Sequence, residues 1–406
     1  MTTYIIIGSG VAGNAAAENI RKHDKDGKII IFSKEKHPFY YVPALSEFLA
    51  GEKDSKGLII HDIDWYEKNH IDLHLETDIA EIAPAQKAVV TKRGERYQYN
   101  KLLLATGGTS FIPPMKGAEL DGVFTLRTLG DAEKIKEFAQ RSRQAVLIGG
   151  GLLGLEAGNG LRKAGLKIRV VEFFPRLLPR QMDVPGAAIL QRQMEGMGFT
   201  FYLGAKTKEI WRDAGGLHVE LEGGENLGAD MVLISAGVRP ELSLAKSVGL
   251  EIDKGVKVDD QMKTDLDEIY AAGDLIEHRG RFYGIWPAAM EQGKIAGAAM
   301  AGQDVKYLGT MVSNTLKVVG IDLFSAGEID VEGTLESMVI KDAAKNIYRK
   351  LVIKEDALVG AILLGDIRGS AQIQQAIKER VIITAIKDEL SQEKFDFNRL
   401  KQALAG

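Results

Sequence analysis

The chain has no cysteine among its 406 residues. It can therefore hold no disulfide, thiolate nucleophile or cysteine-ligated iron–sulfur cluster, and the absence agrees with a reducing compartment. No apolar run approaches the ~18 residues that a membrane helix needs. The N-terminus shows neither a basic segment nor a small-residue cleavage site, so a cytoplasmic protein is expected. An excess of positive charge is also missing. The formal net charge is −4, which gives no reason to invoke nucleic acid or an anionic membrane surface. His37 and His61 lack metal-ligand spacing with a second histidine. They are read as surface or packing residues, and no metal site is expected.

What is present points to an α/β protein. A chain of this length should form two or three domains, and 45% hydrophobic with 27% charged residues suits a globular protein. Glycine is the one excess, at 45 residues clustered beside apolar runs. Tyr4-Ile5-Ile6-Ile7 predicts a parallel strand buried on both faces. Gly8-Ser9-Gly10-Val11-Ala12-Gly13 follows, then a helix over 14–20 and a second apolar run at 29–32 leading to Glu35. The same grammar recurs with a strand at 145–148, Gly149-Gly150-Gly151-Leu152-Leu153-Gly154, a helix to Lys163 and a strand over 168–172 ending in Glu172. Further strands are expected at 102–107 and 231–237. Alternation of this kind predicts doubly wound parallel sheets. Beyond Tyr307 the pattern changes to strands at 348–353 and 358–364 and a helical tail from Ser370, which predicts a small α+β domain.

Each glycine cluster follows a strand, opens a helix and precedes a carboxylate at a strand end. The first glycine permits the tight turn, the second lets backbone approach a pyrophosphate, and the third lets the helix pack on the strand. The helix N-terminus offers unpaired N–H groups and the positive end of its dipole. Glycine-rich turns in an ordinary α/β protein would explain either copy alone. Both copies in full context imply two dinucleotides, and FAD with NAD(P)H is the natural pair. At the second site Glu172 welcomes a ribose hydroxyl and repels a 2′-phosphate, which favours NADH. Arg169 and Arg176 leave open a cationic berth for that phosphate.

With these motifs the sequence resembles the two-dinucleotide flavoprotein reductases that include glutathione reductase. Leu103-Leu104-Ala105-Thr106-Gly107 looks like the segment returning from the FAD domain. Thr264 and Ile269-Tyr270-Ala271-Ala272-Gly273-Asp274 look like the second FAD motif, and Gly237-Val238-Arg239-Pro240 like the loop before re-entry into that domain. Within the family the chain is similar to NADH:rubredoxin reductases and the flavin portion of NADH-dependent nitrite reductases. That likeness rests on 37–47, on Trp286-Pro287-Ala288-Ala289-Met290-Glu291-Gln292-Gly293, on Ser313-Asn314-Thr315-Leu316-Lys317, and on 348–351 with 360–366. Two departures stand out. Val42 occupies a place where relatives often carry Arg, and Phe32-Ser33-Lys34 displaces Glu35 slightly.

The resemblance implies two dinucleotide-binding domains and a small C-terminal α+β domain. FAD would be held by 1–113 with 241–306, NAD(H) by 114–240, and the last domain would span 307–406. It implies an FAD site at Gly8, Gly10, Val11, Ala12, Gly13, Glu35, Ile79, Ala105, Thr106, Gly107, Gly273, Asp274, Trp286 and Ala288. An NAD(H) site is implied at Gly149, Gly151, Leu152, Leu153, Gly154, Glu172 and Gly237, with Glu156 orienting the nicotinamide. Asp274 would contact the ribityl chain, and the helix near Ala288 would face the flavin's pyrimidine carbonyl. Trp286 reads equally as a flavin neighbour or a buried packing residue, while for Tyr41 the packing reading is preferred.

Many relatives relay electrons through cysteine, which this chain lacks. Flavin accepts electrons in pairs and can release them singly, so the expected acceptor is a one-electron protein such as rubredoxin or an iron–sulfur protein. Three alternatives stay open: the FAD subunit of a larger iron–sulfur or metal-cofactor oxidoreductase that reduces NAD⁺, an NADH oxidase using oxygen directly, and a non-enzymatic redox-sensing flavoprotein.

Overall fold

The Ile-rich segments at the start of the chain form a sheet as expected. A computed structural model describes residues 1–311, 313–390, 392 and 395–402, with side chains outside the description at 313–318, 401 and 402. Its contacts divide the chain into two units. One comprises 1–111, 127–134 and 237–310; the other comprises 112–126, 135–236 and 311–406.

The first unit is built on five parallel strands in the order Ile269–Ala271, Lys101–Leu104, Thr3–Ile7, Lys28–Phe32, Ile71–His74. Ile5, Ile6, Ile29, Ile31, Leu102 and Leu103 are buried, which satisfies the apolar runs on both faces. The first helix runs Val11–His23, three residues earlier than its Ala-rich stretch suggests, because the second glycine, Gly10, caps it. It packs against Trp286–Met300. That approach needs Gly293 and Gly297, where a Cβ would lie 2.2 Å from Ala12 O and 2.2 Å from Ala16 O. An antiparallel meander, Ile79–Ala83, Ala88–Thr91 and Arg96–Gln98, was not foreseen.

In the second unit five parallel strands repeat the arrangement, ordered Phe199–Leu203, Lys167–Glu172, Gln144–Ile148, Met231–Ile234, Val123–Thr125. The expected strand at 231–237 ends at Ile234. A three-stranded antiparallel sheet, Thr207–Asp213, Gly216–Leu221 and Asn226–Ala229, covers one side of its core.

The same unit contains a five-stranded antiparallel sheet ordered Ser313–Val318, Ile321–Gly327, Ala357–Leu364, Ile347–Lys354, Glu336–Asp342. Helix Ser370–Glu379 closes one face over Phe324, Leu351, Leu358 and Leu363. Of the motif at 313–317 only the backbone strand lies within the described residues. Helix Val184–Gly196 lies on Ile347–Lys354 and Ala357–Leu364. There the Asp183 side chain caps the helix through Gly186 N at 3.1 Å and accepts from the Tyr348 hydroxyl at 2.6 Å. Lys350 Nζ sits 3.4 Å from the Asp183 carboxylate and donates to Asp330 O at 2.7 Å. All four side chains are buried. Groups of this kind are tolerated only because each is partnered.

Candidate dinucleotide sites

Both glycine clusters adopt the turn their spacing demands, and the space around them assigns each glycine a task. A Cβ on Gly8, at φ +115, would lie 2.1 Å from Ala105 O, and one on Gly13 would lie 2.0 Å from Gly8 O. On Gly10 it would meet nothing within 4 Å. The second cluster repeats this. Gly149, at φ +120, faces Ser235 O at 2.2 Å, Gly154 faces Gly149 O at 2.5 Å, and Gly151 meets nothing within 4 Å. The outer glycines are compelled by neighbouring backbone, while the middle one opens on empty space. Neither Gly10 nor Gly151 supplies a side-chain cap, so the first-turn N–H groups of both helices are left for a ligand. These are the surroundings that a pyrophosphate requires.

Around the first cluster, Ala105, Thr106 and Gly107 follow the strand Lys101–Leu104, and Thr106 Oγ1 donates to Glu241 O at 3.1 Å. Glu35 is half-buried and accepts from the Tyr40 hydroxyl at 2.7 Å, which itself accepts from Leu129 N at 2.9 Å. Burial raises the Glu35 carboxyl above its ordinary value, and the Tyr40 bond opposes this in part. Ile79 is buried at the start of its strand. Gly273, at φ +87, and Asp274 form the turn after Ile269–Ala271. Trp286 begins a helix whose N-cap, Ile285, provides no side-chain bond, and Ala288 in its first turn is fully buried. Trp286 stacks on Phe39 at 5.8 Å and meets Tyr41 edge-on at 5.1 Å. Tyr41 remains 42% exposed, which rules out its reading as a buried packing residue.

Arg127 escaped the sequence reading. Its Nη2 donates to Asp274 Oδ2 at 2.6 Å and its Nε to Gly108 O at 3.1 Å. One guanidinium thus holds both the turn after the strand Lys101–Leu104 and the Gly273-Asp274 turn. Residues 127–134 group with the first unit. No spacing rule links Arg127 to residues 147 positions away.

In the second site Leu152 and Leu153 occupy the first helical turn, and Leu153 is 52% exposed. Glu172 is buried and takes two backbone donors, Gly150 N at 2.5 Å and Phe174 N at 2.8 Å. Arg169 and Arg176 both have acceptors within the protein. Arg169 donates to Gly228 O at 3.1 Å and Gln144 Oε1 at 2.8 Å. Arg176 donates to Met182 O at 3.1 Å and Pro179 O at 2.9 Å. Glu156 accepts from Val319 N at 3.0 Å. Gly237 lies in the first unit and its carbonyl accepts from Phe111 N at 2.8 Å.

This pair of sites has known counterparts. A profile of the pyridine nucleotide-disulphide oxidoreductases matches residues 2–293, and one of the rubredoxin NAD⁺ reductase C-terminal domain matches 313–381. The chain belongs to the pyridine nucleotide-disulphide oxidoreductase family. It is 35% identical to an NAD(P)H nitrite reductase of Bacillus subtilis over 96% of its own length, and spans 49% of that protein. It is 31% identical to the NADH-dependent phenylglyoxylate dehydrogenase subunit epsilon of Aromatoleum evansii, covering 95% of this chain and 94% of that one. A solved NADH:rubredoxin oxidoreductase from Clostridium acetobutylicum superposes with a TM-score of 0.81 and 28% identity, covering 94% of this chain and 96% of that one. The family uses FAD and NAD(H), and the chain spans 49%, 51% and 39% of the lengths of three curated relatives it matches. Among the described residues no helix is long and apolar enough to cross a membrane.

Proposed function

We propose that this enzyme passes electrons between NADH and a one-electron protein carrier, rubredoxin or an iron–sulfur protein, through FAD and without a cysteine relay. The observation that carries the reading is the absence of cysteine from the whole chain together with its end-to-end likeness to an NADH:rubredoxin oxidoreductase. FAD, when bound, takes a hydride from NADH and yields electrons one at a time.

In this reading residues 1–113 and 241–306 hold FAD. Gly8, Gly10, Val11, Ala12 and Gly13 would cradle its pyrophosphate, Glu35 would accept from the adenosine ribose, and Asp274 from the ribityl chain. Ile79, Ala105, Thr106, Gly107, Gly273, Trp286 and Ala288 complete the site. Residues 114–240 hold NADH, with Gly149, Gly151, Leu152, Leu153, Gly154 and Gly237 assigned to it and the adenosine ribose on Glu172. Glu156 would orient the nicotinamide by leaving Val319 N for the carboxamide. The engaged Arg169 and Arg176 support NADH over NADPH, since neither is left to neutralise a 2′-phosphate.

A second reading makes the chain the FAD subunit of a larger oxidoreductase running toward NAD⁺ reduction. Its support is the likeness along nearly the full length of both chains to a protein named as a dehydrogenase subunit. Stopped-flow mixing tests the first reading. Anaerobically NADH-reduced enzyme should be reoxidised by rubredoxin faster than by air-saturated buffer. Faster reoxidation by oxygen would make it an oxidase. Failure of both acceptors, with copurification of an iron-rich partner, would favour the subunit reading.

A further inference from the structure

Behind the Gly273-Asp274 turn runs a hydrogen-bonded chain of one polarity. Gly273 N donates to Gln292 Oε1 at 3.0 Å. Gln292 Nε2 donates to the Tyr307 hydroxyl at 3.3 Å, Tyr307 donates to Thr310 Oγ1 at 2.8 Å, and Thr310 donates to Glu291 Oε2 at 2.6 Å. The order is forced. A backbone N–H can only donate, so the Gln292 oxygen must face it and the amide nitrogen must face Tyr307. Each donor points toward the Glu291 carboxylate, an arrangement in which neighbouring bonds strengthen one another.

Gln292 has little freedom to do otherwise. It is 1% exposed, and the next residue, Gly293, lies against Ala12 O with no room for a Cβ. Tyr307 is just as fixed. It is fully buried, its amide donates to Asp260 O at 2.7 Å, and its ring lies 5.0 Å from His278 and 5.7 Å from Tyr283. Gly273 has a left-handed φ of +87, and a Cβ there would lie 3.1 Å from that of Ala12. A turn so closely seated against the first glycine motif transmits a small displacement directly to the pyrophosphate cradle.

We propose that Gln292 is a positioning residue for FAD: it fixes the Gly273-Asp274 turn and makes flavin binding depend on the segment Tyr307 to Thr310. An apolar residue in its place leaves Gly273 N buried without an acceptor, which is unfavourable. The turn can recover the bond only by moving.

The test uses the full chain stripped of FAD and titrated with it, followed by flavin fluorescence and visible absorption, with circular dichroism to verify folding. Gln292→Leu should weaken FAD binding about tenfold, in line with one buried hydrogen bond lost, and shift the flavin visible band. Gln292→Glu keeps an acceptor for Gly273 N but has no donor for Tyr307, so it should restore the band position and bring affinity back to about the level of Tyr307→Phe. Tyr307→Phe severs the chain further out and should weaken FAD about threefold while leaving the NADH dissociation constant unchanged. A folded Gln292→Leu protein with wild-type FAD affinity and an unshifted band would overturn the positioning role. Unaltered FAD affinity in Tyr307→Phe would overturn the dependence on the outer segment, and that variant decides the matter if Gln292→Leu does not fold.

Discussion

Glu172 accepts the backbone N–H of Gly150 at 2.5 Å, so the carboxylate at the end of one strand also ties down the glycine turn beside it. Its other oxygen takes Phe174 N at 2.8 Å. Removing the side chain therefore does two things at once, and two substitutions separate them. Glu172→Ala loses the tether and the ribose acceptor together and should weaken NADH binding by about 1–3 kcal/mol. Glu172→Gln keeps an acceptor oxygen while dropping the charge. It should cost NADH less and raise the relative rate of flavin reduction by NADPH. A wild-type enzyme already reduced faster by NADPH would contradict this use of the carboxylate.

Arg127 is the cation of the first site. Its partner Asp274 is only 16% exposed in its side chain, so Arg127→Met leaves a half-sequestered carboxylate without its charge-assisted bond. FAD affinity should fall by at least tenfold, corresponding to about 1.5–3 kcal/mol for a bond to a charged group. Arg127→Lys keeps the charge but not the forked donor that reaches Gly108 O as well, and should fall between the two. Equal retention of FAD by all three proteins on dialysis would argue against the role.

Burial raises the Glu35 carboxyl, and the sign of its effect on stability follows. In the apoprotein the folded state holds the proton longer than the unfolded chain, whose value is near 4.5. The contribution is fully present below that value and is lost as pH rises through the folded one. Glu35→Gln cannot titrate and escapes the loss. Its urea midpoint relative to wild type should therefore climb as pH rises above the unfolded value of 4.5. A gap that stays constant over that rise would show that the carboxylate is comfortably solvated. The same substitution should weaken FAD binding by removing a charged ribose acceptor.

Lys350 and Asp183 offer a stability test. Lys350→Met strands Asp183, which is 4% exposed, and should destabilise the protein by about 3–5 kcal/mol. Asp183→Asn combined with Lys350→Met removes both charges while keeping an acceptor to cap the helix, and should recover part of the loss. Denaturant unfolding followed by far-ultraviolet circular dichroism measures both. Additive losses in the double mutant would mean that the two groups do not interact.

With no cysteine in the chain, reduction by NADH should stop at one flavin. Anaerobic titration should consume about one NADH per FAD, because the flavin is the only two-electron acceptor. Thiol reagents should leave turnover unchanged. A second equivalent consumed would require another redox centre in the chain and would end the proposal of direct exit from flavin.

The amino-acid sequence determined the two dinucleotide turns by itself, because their requirements are local. Gly8 and Gly149 need positive φ, the third glycine of each cluster must clear the carbonyl of the first, and apolar runs must end where the turns begin. It determined the excluded chemistry equally, since no fold can supply a thiol that the chain lacks. It left undecided which distant groups would meet. The links from Arg127 to Asp274 and from Lys350 to Asp183 span 147 and 167 residues, and that from Gln292 to Gly273 joins a helix to a turn. None carries a local signature. A backbone turn is dictated by atoms a few bonds away, whereas partners for buried charges are chosen by packing. The tertiary structure alone decided that Arg169 and Arg176 donate to the carbonyl oxygens of Gly228, Met182 and Pro179.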